Sequence, residues 1–487
     1  MNTTLIVFVV LYLLGTLAIG LWAGTRIKNS TDFAIAGRSL PLVMVITTTF
    51  ATWFGAETVM GIPAKFVQGG LNAIVEDPFG AGTCLILVGL FFAAKLYRLN
   101  LLTIGDFYRQ RYGKGIEVFC SAAIILSYLG WVAAQITALG LVFNVLTQGA
   151  MSETTGMIVG TLAVLVYVVV GGFLAVAWTD FIQMSVLVVG LSVIAVFSAG
   201  LAGGADVVLA KIGSQDLWRF LPEPSFKDVA FFIGAGVTMM LGSIPQQDVY
   251  QRVMSAKDAK TARNGAVIGG VSYILFAFVP MFVVASAVVV MGDQAMAIAK
   301  DDYQRLLPTF VMSKMPLVMQ ILFFGALLSA IKSTSSATLL APSTSFVENI
   351  LKNLRPHMGD RQQLRAMRFS IVGFAAIVLA YAIAMKGTSI YDLVSSAYQV
   401  TLVGAFVPLV MGLYWKRATT QGAIVSVVAG IATWVLFFPQ ISTLGEDFPG
   451  QLAGLGAAFV GLIAGSLAPQ WLKARHDADH HVRGLNA

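Results

Sequence analysis

Charged residues are scarce in this chain of 487 residues, of which only 11% are Asp, Glu, Lys or Arg. An ordinary soluble domain carries about 25% charged residues, whereas 57% of the residues here are hydrophobic. Apolar runs long enough to cross a bilayer, roughly 20 residues each, occupy most of the sequence. The composition therefore excludes a soluble enzyme and leaves no room for a sizeable soluble domain.

Cysteine and histidine are also rare. The two cysteines, Cys84 and Cys120, fall in or beside apolar runs, which favours small buried hydrophobes over a disulfide framework or a metal site. The four histidines lie in a loop and in the tail, so we expect no metal or catalytic cluster within the membrane and no enzymatic activity. The sequence also lacks GxxxxGK[ST], which disfavours ATP-driven transport.

What is present is a succession of apolar segments. They predict an all-α integral membrane protein with about thirteen transmembrane helices. The first run follows an uncharged start and is long enough to span a bilayer, so we expect a retained helix and not a signal peptide. The predicted spans are 4–24, 40–62, 72–95, 117–146, 155–171, 173–199, 228–250, 264–292, 316–350, 369–385, 390–415, 420–438 and 451–469.

The distribution of Lys and Arg predicts the orientation. If the N-terminus lies outside, 22 of the 31 basic residues fall in inside loops and the tail, eight fall in outside loops, and Lys332 lies within a span. Because cytoplasmic loops carry an excess of basic residues, this predicts a multi-pass plasma membrane protein with a cytoplasmic C-terminus. The net charge of +7 then follows from topology, and we expect the lipid bilayer and no nucleic acid as a partner.

Two predicted spans contain sequences that disfavour a continuous helix. The span 40–62 holds ATWFGAET at 51–58, and the span 228–250 holds GSIPQQD at 242–248, in which proline lacks an N–H and clashes with the preceding turn. Interrupted helices in corresponding positions of two halves indicate an inverted-repeat transporter with a site at the bilayer midplane. The alternative is that Gly and Pro merely kink these helices, as they do in many membrane proteins.

Four separated motifs carry a family resemblance: DFAIAGR at 32–38, WTDFIQ at 178–183, QRV at 251–253 and the Ser/Thr-rich stretch 329–345. In this order they resemble the sodium:solute symporter family over essentially 4–438, and within it the high-affinity choline transporter subgroup. The resemblance implies a five-plus-five inverted repeat with two discontinuous helices in a single transporter domain, 1–487. Its parts would be an extra N-terminal helix at 4–24, a first repeat at 40–199, a second repeat at 228–416, two C-terminal helices at 420–469 and a cytoplasmic tail at 470–487.

The Ser/Thr-rich stretch is a candidate ion site. Sodium prefers oxygen ligands, and hydroxyls together with the carbonyls of an unwound helix supply them. On a helix, Ala330, Ser333 and Thr334 form one stripe. The alternative is that these hydroxyls pack helices and bond to their own backbone. The resemblance implies a sodium ion, the only cofactor expected, held by the carbonyls of Ala51, Phe54 and Ala330 and the side chains of Ser333 and Thr334.

Some members of the family have a second sodium site, formed by an aspartate of the sixth span and further hydroxyls of the ninth. The matching residues here include Asp180 and Ser336, but Ala337 stands where another hydroxyl would be wanted. Lys332 lies four residues before Ser336 and therefore on the same helix face. We expect its ammonium to pair with Asp180 in place of a second sodium, or else to snorkel towards the cytoplasmic surface.

Two tryptophans are candidates for the substrate site. Trp53 and Trp131 match aromatic positions of the choline subgroup's cage, and aromatic faces attract quaternary ammonium. Ala81 and Gln246 stand where that subgroup has further aromatics, so the resemblance implies a more polar pocket. The remaining candidates for contact with the solute are Glu57, Gln135, Gln246 and Gln247. Glu76 and Asp77 form either an external mouth that attracts cations or a solvated loop.

The leading hypothesis is a sodium-coupled secondary active symporter that imports a small polar organic solute by alternating access. The candidate solute is choline or a related cationic or zwitterionic compound. The alternatives are a membrane-embedded sensor of a small solute, or a symporter for an amino acid, a sugar or a carboxylate. A sensor would need a signalling domain, and the stretch after the last span is too short to hold one.

Overall fold

The computed structural model describes residues 3–438 and 441–472, and all regular structure in these residues is helical, which confirms the predicted all-α class. The predicted cytoplasmic tail lies outside the described residues from position 473 onward. Within the described ranges, nine helices are long and apolar enough to cross a membrane, or eleven spans are present if each of two bent pairs is counted as one. The nine are Thr3–Gly24, Leu71–Arg98, Lys114–Leu146, Glu153–Leu201, Ala259–Met291, Leu317–Leu354, Asp360–Ala384, Ile390–Tyr414 and Gly450–Leu467.

The two predicted interruptions are real breaks. Leu42–Trp53 is bent by 57° from Glu57–Gly69, and Phe226–Gly242 by 44° from Gln247–Ser255. We call these pairs the first bent span, 42–69, and the second bent span, 226–255. The first helix ends where Phe54 adopts φ −87° and ψ 69°. Both breaks therefore place non-helical backbone in the interior of the protein.

The predicted count of thirteen spans remains a prediction. Glu153–Leu201 is a run of 49 residues in which Gly172 leaves helical geometry, with φ 52° and ψ −152°. A straight helix of that length would measure about 74 Å, more than twice the hydrocarbon thickness of about 30 Å, so the break at Gly172 divides it. Thr420–Leu436, with 17 residues, is shorter than the other spans.

In the part of the chain that the structure describes, six shorter α-helices connect the spans or lie beside them: Ser30–Ile35, Ile104–Tyr112, Ala205–Ser214, Asp293–Asp302, Leu306–Lys314 and Leu444–Asp447. Backbone hydrogen bonds join loops that the predicted topology places on the same side. On one face, Leu71 N donates to Leu217 O at 2.9 Å. On the other, Leu40 N donates to Ser255 O at 2.9 Å. These two contacts agree with the sides that the distribution of Lys and Arg gives those four loops, while which face lies outside stays a prediction.

The outward faces of the spans are apolar. Leu11, Val189, Val196, Phe369 and Val460 are between 58% and 77% exposed, a surface suited to lipid, in which apolar side chains face hydrocarbon. The interior is also largely apolar, but many hydroxyl, amide and charged side chains are almost completely buried within it. Because buried polar groups are costly in a membrane protein and mark function by default, the interior is where the site should be sought.

Candidate functional site

Two hydroxyl side chains of Leu317–Leu354 contact the C-terminal end of Leu42–Trp53, which is the first helix of the first bent span. Ser333 Oγ lies 3.3 Å from Ala51 O, and Thr334 Oγ1 lies 3.4 Å from the same oxygen and 2.8 Å from Thr52 O. The last carbonyls of a helix lack intrahelical partners, and the break leaves these two available. We call these four residues the hydroxyl–carbonyl cluster. Its buried neutral oxygens are of the type that sodium prefers.

Two other predicted carbonyl ligands are not part of these contacts. Neither hydroxyl forms a hydrogen bond to Phe54 or Ala330 within the described chain. The ring of Phe54 instead stacks on Phe50, with centroids 5.0 Å apart. Thr52 is the oxygen that sequence reasoning missed, and its signal was its position in the last turn before the break. The roles of Phe54 and Ala330 at a sodium ion stay predictions.

Asp180 lies directly beside the hydroxyl–carbonyl cluster. This fully buried carboxylate accepts hydrogen bonds from Thr48 Oγ1 at 2.6 Å and from Ser333 Oγ at 2.5 Å. Ser333 therefore contacts both the negative charge and the carbonyl of the first bent span. Ser336 points elsewhere, because its hydroxyl donates to Ser333 O at 2.7 Å. The structure brings Asp180 together with Thr48 and Ser333, while a role of Ser336 at a second cation site stays a prediction.

Lys332 does not meet Asp180, and the expected pairing is corrected. Its ammonium donates a hydrogen bond to Thr16 Oγ1 and lies 4.3 Å from the ring centroid of Tyr167. Consecutive residues of a helix point about 100° apart, so Lys332 faces Thr3–Gly24 while Ser333 faces the bent span. Lys332 is only 2% exposed, so it does not snorkel to the surface either.

Arg252 is the cation that sequence reasoning missed near Asp180. It is 1% exposed and lies within electrostatic range of Asp180 and Asp248. Its Nε donates to Thr48 O at 3.0 Å, and its Nη1 donates to Asp248 O at 2.6 Å. Thr48 thus contacts the carboxylate with its hydroxyl and the guanidinium with its carbonyl. The QRV motif indicated that Arg252 was present but not which carboxylate it faces.

The position of Lys332 makes a prediction for Lys332→Met. We expect the half-saturating sodium concentration and the sodium Hill coefficient of uptake to stay within about twofold of wild type, since Met keeps the apolar stem and Asp180 loses no contact. Replacing a buried charge by an apolar group of similar size is often neutral or stabilising, so the melting temperature should not fall. Asp180→Asn is the matched comparison and should weaken sodium dependence. A rise in the sodium Hill coefficient of Lys332→Met would contradict this prediction and support a pairing of Lys332 with Asp180.

Aromatic rings from several spans meet at the break of the first bent span. Ring centroids are 5.8 Å apart for Trp53 and Trp131, 6.1 Å for Trp53 and Tyr398, and 5.6 Å for Trp131 and Tyr398. Tyr128 stacks on Trp131 at 6.0 Å, and Tyr273 lies 6.4 Å from Trp53. We call these five residues the aromatic cluster. Sequence reasoning missed its three tyrosines, which stand in long apolar runs that resemble core.

A buried carboxylate lies within the aromatic cluster. Trp131 Nε1 donates to Glu57 Oε1 at 3.0 Å, and Gln135 Nε2 donates to Glu57 Oε2 at 2.6 Å. Gln135 Oε1 accepts from Ala56 N at 2.9 Å, so the amide also satisfies an N–H that the break leaves unpaired. Trp53, Glu57, Trp131 and Gln135, all predicted for the substrate site, are therefore brought together.

The two glutamines of the second bent span point in different directions. Gln246 Nε2 donates to Ser127 Oγ at 2.8 Å, beside the aromatic residue Tyr128. Gln247 Oε1 accepts from Ile104 N at 2.9 Å, so its side chain caps the start of Ile104–Tyr112 and does not line the aromatic cluster. A helix start needs acceptors for its free N–H groups, and the Gln247 oxygen supplies one. Its Nε2 is buried without a partner in the described residues, so a contact of Gln247 with the solute stays a prediction.

Gly55 is the point where the two clusters adjoin. A Cβ placed on Gly55 would lie 2.6 Å from Thr334 Oγ1, 2.7 Å from Glu57 Oε2 and 2.9 Å from Gln135 Oε1. No side chain fits at such distances without displacing its neighbours. Gly55 therefore lies between the hydroxyl–carbonyl cluster and the carboxylate of Glu57, and the two groups are no further apart than a glycine allows.

Comparisons with known proteins all point to sodium-coupled and related transporters. The sequence model of the sodium:solute symporter family matches residues 33–430. The high-affinity choline transporter 1 of Caenorhabditis elegans is 27% identical over 88% of this chain and 76% of its own length, and that of Homo sapiens is 27% identical over 88% and 75%. The high-affinity proline transporter of Bacillus subtilis is 28% identical over 91% of this chain and 94% of its own length.

Solved structures share the fold. A Na+-coupled sialic acid symporter in a substrate-bound outward-open state superposes with a TM-score of 0.83 over 96% of this chain and 99% of that one, at 19% identity. A transporter of the nucleobase-cation-symport-1 family gives a TM-score of 0.60 over 93% and 99%, at 16% identity. These likenesses confirm the predicted fold class, an inverted-repeat transporter.

Proposed function

We propose, from the premise that this chain belongs to the sodium:solute symporter family, that it imports a small organic cation together with sodium. The observation that carries this proposal is the carboxylate of Glu57, buried among the rings of Trp53, Trp131 and Tyr398 and next to the hydroxyl–carbonyl cluster. Aromatic faces and a carboxylate both attract cations. Choline is the first candidate, because two of the relatives named above are choline transporters.

The geometry supplies a route for coupling sodium to the solute. A sodium ion held by Ser333, Thr334 and the carbonyls of Ala51 and Thr52 would stabilise one arrangement of the break in the first bent span. Trp53 and Glu57 belong to the same break, so the ion would also order the residues that contact the solute. Two ligands that favour the same conformation raise each other's affinity by the same factor.

Uptake by proteoliposomes tests this proposal. The purified full chain is given an inward sodium gradient and a panel of choline, betaine, amino acids, sugars and carboxylates. We expect sodium-dependent uptake of a cationic member and none without the gradient. Uptake confined to anionic or uncharged solutes would overturn the organic-cation assignment. In intact cells, labelling of single cysteines placed in the loops by an impermeant reagent would test the proposed plasma membrane location with an outside N-terminus and a cytoplasmic C-terminus.

Trp53→Ala separates ring attraction from mere packing. Removing one ring face should weaken the binding of choline by about 0.5 to 2 kcal/mol, which is roughly two- to thirtyfold. The measurement is inhibition of uptake by choline and by its uncharged isostere 3,3-dimethyl-1-butanol, and only choline should lose potency. Trp22→Ala, at an exposed tryptophan, is the control. Equal losses for the two compounds would show that the ring of Trp53 only fills space.

A further inference from the structure

Three buried carboxylates form a row that begins at the aromatic cluster. Glu57, Asp77 and Glu76 are 2%, 2% and 5% exposed. Asp77 lies within electrostatic range of both others. Lys65 acts on Glu76 from the protein surface, where it is already paired with the exposed Asp392 at 2.9 Å. None of the three makes an ion pair in the described residues, and unpaired buried charges are costly.

Tyr273 connects the row to the aromatic cluster. Its hydroxyl donates to Asp77 Oδ1 at 2.6 Å and lies 2.9 Å from Thr58 Oγ1, in the first bent span. Its ring is 6.4 Å from that of Trp53. A single tyrosine therefore contacts the second carboxylate of the row and packs against the aromatic cluster that holds the first. The row is a continuation of the candidate substrate site and not a separate surface feature.

Glu76 ends the row with an oxygen that has no partner. Its Oε2 accepts from Ser395 Oγ at 2.5 Å, but its Oε1 is buried and has no hydrogen-bond partner in residues 3–438 and 441–472. In the same residues Gln246 Oε1 is also buried and unpaired, and the Nε2 of the same side chain binds Ser127, the sequence neighbour of Tyr128. A buried acceptor without a donor costs about 1–3 kcal/mol. A ligand that donates hydrogen bonds to these oxygens would therefore be stabilised at this site.

The chemistry of the missing donor follows from these oxygens. A quaternary ammonium has no N–H, whereas a primary ammonium carries three donors together with its charge. The indole N–H of Trp53 is unpaired as well, but it is uncharged, so the three carboxylates set the electrostatic balance. A ligand with one ammonium group reaches the acid at only one end of this row. A ligand with two ammonium groups would supply donors and positive charge at both ends, including to the unpaired Glu76 Oε1.

We propose that the solute of this transporter is a short aliphatic diamine. One ammonium lies at Glu57 in the aromatic cluster, and the second lies between Asp77 and Glu76. The inference rests on the proposed function, since it names the class of organic cation that the same site takes. The methylene chain between the two ammonium groups passes Tyr273, whose hydroxyl contacts Asp77 and whose ring packs against Trp53.

The test compares probes that differ only in the second group. Proteoliposomes containing the full chain are assayed for sodium-dependent uptake of radiolabelled choline and of radiolabelled 1,4-diaminobutane. Competition against each uses 1,4-diaminobutane, butylamine and 4-aminobutanoate, which end in an ammonium, a methyl and a carboxylate. We expect 1,4-diaminobutane to bind about tenfold or more tightly than butylamine, as hydrogen bonds to charged groups allow. The compound 4-aminobutanoate should be the weakest of the three.

Variants locate the second ammonium. Asp77→Asn and Glu76→Gln, tested separately, should bring 1,4-diaminobutane to within about twofold of butylamine and leave butylamine unchanged. Glu223→Gln, which removes an exposed carboxylate elsewhere, is the control and should keep the full preference. Melting temperatures in detergent identify a variant that does not fold, and the comparison of probes on the wild-type protein does not depend on any variant.

Each outcome decides one of the two proposals. If choline is taken up with sodium but 1,4-diaminobutane competes no better than butylamine, the diamine inference is overturned and the proposed function stands. If neither cation is taken up with sodium, the proposed function is overturned as well. A preference for the diamine that survives both Asp77→Asn and Glu76→Gln would contradict the position assigned to the second ammonium.

Discussion

Replacing Ser333 and Thr334 together by alanine raises the sodium concentration for half-maximal uptake by about tenfold or more, or abolishes sodium-driven uptake. The two hydroxyls are the side-chain oxygens of the hydroxyl–carbonyl cluster, at 2.8 to 3.4 Å from the carbonyls of Ala51 and Thr52. Interactions of a hydrogen-bonding group with a charge are worth about 1.5–3 kcal/mol. The double variant loses two such ligands and keeps only carbonyls, so its affinity for sodium should fall. The measurement is the sodium dependence of uptake by proteoliposomes.

Ser335→Ala is the matched control for this double variant. Its hydroxyl belongs to the same helix but donates to Ile331 O of that helix at 2.6 Å, away from the carbonyls of Ala51 and Thr52. Sodium dependence should therefore remain as in wild type. Sodium dependence that is unchanged in the double variant, in protein that still folds, would refute the ion assignment.

Gly55→Ala lowers sodium-driven uptake by about tenfold or more. The added methyl would lie 2.6 Å from Thr334 Oγ1 and 2.7 Å from Glu57 Oε2, so it displaces oxygens of both the candidate ion site and the candidate solute site. Overpacking in a close-packed interior costs about 1–3 kcal/mol. Both the half-saturating sodium concentration and the half-saturating solute concentration should rise, because the methyl displaces both groups.

Gly325→Ala is the control for this substitution. It lies in Leu317–Leu354, and a Cβ there meets nothing within 4 Å. It adds the same methyl group to a helix of the same domain without contacting either cluster, and uptake should be unaffected. If Gly55→Ala changes solute affinity while sodium affinity stays constant, the two clusters do not adjoin functionally at this position.

The breaks in the two bent spans were predictable because their causes are local. Pro245 removes a backbone donor and clashes with the preceding turn, and a glycine in a run of hydroxyls weakens the helix near Gly55. Both effects act within a few residues of the chain. The structure places the bends, of 57° and 44°, at these positions.

The residues around Lys332 show what local reasoning misses. Helix periodicity correctly separates Lys332 from Ser333 by about 100°, but it does not say which span lies on either side. The assignment to Asp180 was wrong because Thr3–Gly24 packs against that face and supplies Thr16 as the partner. The same limitation hid Arg252, whose contact with Thr48 joins residues far apart in the chain.

The aromatic cluster was found in part for a similar reason. Trp53 and Trp131 stood out because tryptophan in the middle of a span is unusual, and a resemblance to known cages supported them. Tyr273 and Tyr398 lie in long apolar runs and resemble ordinary core. Only the approach of four spans at one break shows that their rings meet the tryptophans.

The sequence by itself determined the helical class, the bent spans and the oxygen-bearing residues, because hydropathy, proline chemistry and hydroxyl content are properties of short segments. The tertiary structure alone decided which buried groups face one another: Asp180 with Thr48 and Ser333, and the row of Glu57, Asp77 and Glu76 beside Tyr273. Such pairings depend on the rotation and depth of each span against its neighbours. Packing between distant segments sets those quantities, and no local pattern encodes them.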